Sequence, residues 1–353
     1  EGKRNQQCHQ DYPNDPTRRN RHRVLGLFAK QMGLPVGASF RCQDFIDNRH
    51  PNYVGDVGIG INPALAKRVQ EADVILALGA RLGEMTTSGY TLLTPPVSRQ
   101  ELIHIHADPS EIGRVYHPAL AVVAQPGPVI KQLKDMAIAR EGGTWLTDAR
   151  ADYELWQEPR ETPGALKMEQ VISHLNGALD DDAILTNGAG NYSAWLHRYY
   201  RYRGWRTQLA PTSGSMGYGL PAAIAAKLHH PERDVICLAG DGCFQMVSQE
   251  FGTACDQGAA VITLVSDNGM YGTIRMHQER EHPNRISGTD LVNPDFKAMA
   301  QAMGAHGERV TLTDQFEEAL DRALASGKPA VIQLVTTAEQ ISTRTFISRM
   351  HGR

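Results

Sequence analysis

Beyond residue 23 the chain repeatedly sets a short, continuous apolar run beside a stretch whose apolar residues recur at helical spacing. "VLGLFAKQMG" predicts a helix closed by Gly33, because a glycine just past the last apolar turn takes the left-handed cap conformation without steric cost. "LPVGASF" reads as a buried strand, and a Gly-rich loop follows it. Then "NPALAKRVQEA" reads as a helix, "DVILALG" and "ELIHIHADP" as strands, and "PVIKQLKDMA" as a closing helix. After a polar interruption the alternation resumes. Helix "MEQVISHLNGAL", strand "AILTN" and a helix around "YSAWLHRYY" lead to helix "GLPAAIAAKLHH" and strand "DVICLAG". Helix "QMVSQEFGTACDQG" and strand "AVITLVS" come next, then a long loop, helices "DFKAMAQAMG" and "DQFEEALDRALAS", and strand "AVIQLV". Short apolar strands alternating with helices predict parallel strands covered on both sides. The fold class is therefore α/β, with two tandem open, mostly parallel sheets and helices on both faces.

The same pattern sets the expected boundaries. Residues 1–23 carry almost no aliphatic side chains and read as a flexible polar lead-in. Residues 24–140 are expected as a first, Rossmann-type unit, 141–165 as a polar linker containing one helical piece, and 166–345 as a second unit. At 353 residues the chain is long enough for two cores. A net charge of −3 gives no reason to expect nucleic acid or an anionic membrane surface. Five cysteines with no C-x-x-C pair argue against a disulfide framework or a zinc ribbon. No apolar run reaches membrane-spanning length and the first residues show no signal-peptide pattern, so a cytoplasmic location is expected.

Candidate chemistry concentrates in "LAGDGCFQMVSQEFGTACDQGAAVITLVSDNGMYG", Leu238 to Gly272. A Gly-Asp-Gly turn joins a strand to a helix, the place where open α/β sheets bind ligands and where free N–H groups favour anions. Asp241 alone would repel a phosphate there. A divalent cation between carboxylate and phosphate removes the conflict. The next strand ends in Asp-Asn-Gly, so Asn268 is expected to reach the same crevice. Mg²⁺ prefers six oxygens and keeps water and phosphate oxygens in its shell. Asp241, Asn268, a loop carbonyl, two diphosphate oxygens and a water would complete it. Either turn by itself reads as ordinary punctuation.

Gly-Asp-Gly followed some two dozen residues later by an Asn that closes a strand resembles the signature of thiamine diphosphate-dependent enzymes. "TSGSMGYGLPAAIAAKL", "GDGCFQM", "NPDFKAMAQAMGA" and "GKPAVIQLV" resemble the diphosphate-binding domain of the acetolactate synthase-like branch. "HPNYVGDVGIG", "EADVILALGARLGE" and "IHIHADPSEIGR" resemble that branch's central domain. The resemblance spans roughly residues 24–340.

It implies thiamine diphosphate and Mg²⁺ as cofactors and a small 2-keto acid as substrate, carboligated or decarboxylated, in a homodimer or homotetramer. Asp241, Asn268 and the Met270 carbonyl would bind the metal. Gly240, Gly242 and Cys243 would lie against the diphosphate, with Tyr271 beside them. The family usually has Ser at the position of Cys243, and a thiol is a weaker donor. The bland alternative is a buried small hydrophobe. In the loop "SGSMGYG", which includes Ser215, the Gly214 carbonyl would accept from the aminopyrimidine. Met216 would wedge between the cofactor rings and bend it, so that proximity does part of the work. Met216 is otherwise a core residue. Asn191 and Tyr192 of "GAGNYSAW" would contact the diphosphate, or else be a helix cap and a packing residue.

Other features weigh less. His104 and His106 share one face of a strand, but the family has an acidic residue at the second position and no metal. "GDVGIG" is a lone glycine cluster. FAD binds some members of the branch, but "ARLGEMTTSGY" replaces the Arg-Phe-Asp-Asp run that accompanies it, which disfavours FAD here. His277 stands where acetohydroxy acid synthases carry a Trp that helps select the second keto acid, leaving decarboxylase or other ligase variants open. The family's pyrimidine-binding domain, with its activating Glu, is expected outside this chain. The central unit's first strand is expected to be missing or replaced. On that reading the chain alone binds Mg²⁺–diphosphate weakly and does not turn over. A noncatalytic assembly subunit is the competing reading. A nicotinamide dehydrogenase falls far behind, because no G-x-G-x-x-G opens a helix after a strand.

Overall fold

Strand β8 (Val235–Gly240) is buried at all six positions, as a parallel strand covered on both faces must be. It lies inside a six-stranded sheet of the computed structural model, which describes residues 21–140 and 142–351. The expected lead-in lies outside the described residues as far as residue 20. The other strands are β6 (Ile184–Asn187), β7 (Gln208–Leu209), β9 (Ile262–Asp267), β10 (His306–Val310) and β11 (Ala330–Val335). Their order is β10-β11-β9-β8-β6-β7, with every pair parallel.

Two apolar layers hold this sheet. Val171, Ile172 and Leu175 of helix Met168–Ala178 join Phe316 and Leu320 of helix Phe316–Ala325 on one side. Leu220, Ala223 and Ile224 of helix Gly219–His229 join Phe244, Phe251 and Phe296 on the other. The Phe244 and Phe296 rings meet edge to face at 5.4 Å. Each such side chain contributes about 1.5–3 kcal/mol by leaving water.

The first unit differs from the expected single sheet. β1 (Val36–Ser39) pairs in parallel with β2 (Tyr53–Val57), while β3 (Val74–Leu78), β4 (Glu101–His106) and β5 (Leu120–Val123) form a separate three-stranded parallel sheet. The described chain thus has three open parallel sheets, not two, although the α/β class stands. β2 falls inside the stretch expected to be a Gly-rich loop. Gly55 within it has φ +116, a conformation that conceals a strand from any pattern of side chains.

Residues 141–165, expected as a linker with one helical piece, contain a 15-residue helix, Gly143–Gln157. Its polar side chains are structural. Arg150 donates to the carbonyls of Asn48, His50 and Tyr53 at 3.0, 3.0 and 2.8 Å, and Arg68 pairs with Asp152. Tyr153 stacks edge-on against Tyr53, and Gln157 donates to the Arg198 carbonyl of the second unit. A helix that recognises backbone carbonyls can carry a polar composition and still be ordered. Helix Gly272–Glu281 lies in the stretch expected as a long loop, and of its ten residues only Glu279 is buried, so its sequence shows no apolar face. Among the described residues no helix is long and apolar enough to cross a membrane.

Candidate functional site

β8 and β9 are neighbours, with Gly240 opposite Ser266. Both strands therefore end at one level, and the two turns emerge side by side. Asp241, 3% exposed, joins them: Oδ1 accepts the Gly242 N–H at 2.8 Å, and Oδ2 accepts the Gly269 N–H at 2.8 Å. Asn293 adds a third bond, donating from Nδ2 to Asp241 Oδ2 at 2.8 Å. Burial pushes the Asp241 carboxyl above the ordinary carboxylate range, and the Asn293 amide and the two backbone N–H groups pull against it.

Asn293 also donates to Asp267 Oδ1 at 2.6 Å and accepts from Gln245 at 2.5 Å. Asn268 Oδ1 accepts the Met270 N–H at 3.2 Å, a side-chain turn that shapes the loop. Residues 289–291 brace that loop from outside, Tyr271 N–H reaching the Thr289 carbonyl and Leu291 N–H the Gly269 carbonyl, both at 2.8 Å.

The donor set suits a hard cation. A carboxylate offers about four lone-pair positions and an amide oxygen two. Asp241 spends three and Asn268 one on N–H groups, so one direction remains on Asp241 Oδ1 and one on Asn268 Oδ1. Among the described residues no three His, Cys, Asp or Glu side chains gather as a metal group. A set of one carboxylate, one amide and one carbonyl is the kind that Mg²⁺ accepts when substrate oxygens complete it.

The glycines serve packing as well as access. A Cβ on Gly240 would stand 2.7 Å from the Tyr192 ring, and one on Gly242 would stand 2.6 Å from the Tyr271 ring. One on Gly188 would meet Cys243 Sγ at 2.6 Å. Cys243 is buried, and its sulfur accepts from Tyr192 Oη at 3.1 Å and from the Gly217 N–H at 3.0 Å. Burial raises the Tyr192 phenol well above its ordinary pKa, which keeps that proton in place. The thiol thus ties "GAGNY", "SGSMGYG" and "GDGCF" together as an acceptor.

Asn191, Tyr192, Met216, Gly240, Asp241, Gly242, Cys243, Asn268, Met270 and Tyr271 all line one cleft. Gly214 and Ser215 do not. Gly214 takes φ +76 in open space, and Ser215 bonds Ser213 at 2.9 Å on the exposed loop. Met216 is 40% exposed, so its side chain is not core. Asn191 is occupied internally: its amide donates to the Ile341 carbonyl at 2.9 Å, and its oxygen accepts from Thr273 Oγ1 at 3.0 Å. His277 lies exposed on helix Gly272–Glu281 beside Glu281, off the cleft. His104 bonds the Ala80 carbonyl and His106 the backbone of Asp108, each ring with its own local partner.

Sequence reasoning missed Asn293, Thr273 and Gln340 as parts of this site. Only Asn293 stood within a recognised stretch, the one that begins "NPDF". Nothing in local spacing aims it at Asp241, 52 residues away in the chain.

Residues 188–334 match the family model for the C-terminal TPP binding domain of thiamine pyrophosphate enzymes, and residues 17–133 match the model for the central domain of the same enzymes. The chain is similar to acetolactate synthase of Mycobacterium leprae, 30% identical over 327 residues, covering 88% of this chain and 52% of that protein. It is also similar to the acetolactate synthase isozyme 2 large subunit of Escherichia coli, 28% identical over 316 residues, with 88% and 56% covered. A putative thiamine pyrophosphate-containing protein of Bacillus subtilis matches at 28% over 320 residues, with 89% and 54% covered. The chain spans about half the length of the curated relatives it matches. With both domain models matched in order and most of the cleft's lining within the second, this chain belongs to the thiamine pyrophosphate enzymes.

Proposed function

We propose that this chain supplies the diphosphate- and Mg²⁺-holding part of a thiamine diphosphate-dependent enzyme that carboligates or decarboxylates 2-keto acids. The observation that carries the proposal is the Asp241–Gly269 bond, which sets both turns at one cleft with a free lone pair on each oxygen donor. Asp241, Asn268 and the Met270 carbonyl would hold the metal, and the backbone of Gly242 and Cys243 the diphosphate. Met216, half out of the protein at the mouth of the cleft, would support a bent cofactor. When bound, thiamine diphosphate supplies the carbon nucleophile and electron sink for cleaving the bond beside the keto group.

This chain's residues bind and orient. Among the described residues no glutamate lines the cleft, so the carboxylate that activates the cofactor in this reading comes from elsewhere in the assembly.

Calorimetric titration with Mg²⁺ and thiamine diphosphate tests the site directly. Binding that needs both components, and that Asp241→Ala abolishes while circular dichroism is unchanged, is the expected result. Full binding without Mg²⁺, or no binding at millimolar cofactor, sinks the reading. Release of CO₂ from pyruvate-like acids by the complete gene product tests the reaction class.

A further inference from the structure

One buried charge beside the cleft plays no part in the scheme above. Arg41 follows β1 in the first unit, is only 7% exposed and takes φ 60, a left-handed conformation that a non-glycine residue adopts at a cost. Its guanidinium crosses into the second unit. Nη1 donates to the Pro211 carbonyl, Nη2 donates to the Gly188 carbonyl at 3.3 Å, and the group lies 4.8 Å from the centre of the Phe40 ring. Its Nε is buried without an acceptor, and among the described residues no carboxylate stands in an ion pair with it. Burial lowers its pKa, opposed in part by Tyr192, Tyr202 and Cys243 nearby. A buried guanidinium with an unpartnered Nε and no carboxylate in an ion pair is costly, so a compensating anion would stabilise it.

The two carbonyls it holds are informative. Gly188 opens the segment whose Gly190, Asn191 and Tyr192 line the cleft, and Pro211 opens the loop that carries Met216 to the cleft mouth. Gly188 also sits against Cys243 Sγ and Tyr192 Oη. Arg41 therefore holds, from another unit, the carbonyls at the start of two segments that line the cleft.

We propose that Arg41 is a positioning residue for the anionic end of the cleft. It fixes the Gly188 and Pro211 loops at a set separation, and the diphosphate of the cofactor is the charge that compensates it. This inference rests on the cofactor reading above.

The test is calorimetric titration of the full chain with Mg²⁺ plus inorganic pyrophosphate, and separately with Mg²⁺ plus thiamine diphosphate, for wild type, Arg41→Lys and Arg41→Met. Arg41→Met is expected to weaken pyrophosphate about tenfold or more, the size of one lost charge-assisted interaction. Arg41→Lys keeps the charge but loses the planar fork. It is expected to hold pyrophosphate within about threefold of wild type while weakening thiamine diphosphate by about tenfold. Arg41→Met binding both ligands within about twofold of wild type overturns the role of Arg41 alone. A wild-type chain that binds neither ligand overturns the cofactor site and this role with it. Should Arg41→Met lose its fold by circular dichroism, Arg41→Lys decides: the split between the two ligands supports the role, and two unchanged affinities overturn it.

Discussion

The two units of this chain use the same vocabulary of parallel strands and helices but reach very different degrees of closure. In the second unit β8 and β11 lie buried between two apolar layers, and the sheet runs to six strands. In the first unit the strands divide into sheets of two and three, and residues such as Val74 and Val123 stand 53% and 59% exposed. Much of what fastens the first unit is polar: Arg150 on three carbonyls, Asn48 bonding across to Tyr202, Gln43 to Gln208. The apolar unit offers a rigid base for a cleft at its strand ends. The polar unit provides reach, and Arg41 and Asp44 are its points of entry into the neighbour.

The sharpest way to break this contrast is to open a cavity in the second unit. Phe251→Ala, at a fully buried ring, is expected to cost about 3–5 kcal/mol. A urea melt showing less than about 1 kcal/mol would contradict the placement of stability there.

The seam between the units should respond to pH. Asp44 is buried and accepts the Thr207 and Gln208 N–H groups, and burial pushes its pKa up to about 6. Because the folded value lies above the unfolded one, its protonated form favours folding. That contribution is full below about pH 4 and is lost as pH rises through about 6. The difference in stability between wild type and Asp44→Asn should therefore change by on the order of 2 kcal/mol between pH 4 and 7 and then level off. A flat difference across that window would show that Asp44 keeps its ordinary pKa.

Next in size is Asn293→Ala. It removes the donor shared by Asp241 and Asp267 and should cost about 1–3 kcal/mol in a thermal or urea melt. It should also weaken Mg²⁺-dependent cofactor binding, because the carboxylates are then no longer held apart by a common amide. Unchanged affinity would mean that the Gly242 and Gly269 N–H groups suffice to orient Asp241.

The smallest effect is expected at Val123→Ser in β5. With the side chain 59% exposed, stability should move by less than about 0.5 kcal/mol. A loss of several kcal/mol would reveal that this face is covered in the assembled protein.

Much of the fold was legible, and the misses lie at short, edge or polar elements. Apolar runs such as "DVICLAG" and "AVITLVS" identify central strands because both of their faces must leave water. Strands β2, β5, β7 and β10 escaped: Gly55 interrupts the apolar run of the first, β5 and β7 are edge strands of only four and two residues, and "HGERV" in β10, also at a sheet edge, carries three polar residues in five. The helical piece expected within 141–165 is there, but its sequence did not show that Arg150 would bond to carbonyls from distant segments.

By itself the sequence determined the α/β alternation and the meeting of Asp241 with the Asp-Asn-Gly turn, since one crossover between adjacent parallel strands places consecutive turns at the same sheet edge. Only the tertiary structure decided that Asn293 closes on Asp241, that Cys243 acts as an acceptor for Tyr192 and Gly217, and that Arg41 reaches the back of the cleft from 147 residues before Gly188. Periodicity and turn chemistry are written by near neighbours in the chain. Which distant side chain fills the last lone pair or leaves a charge uncompensated depends on how the finished layers pack.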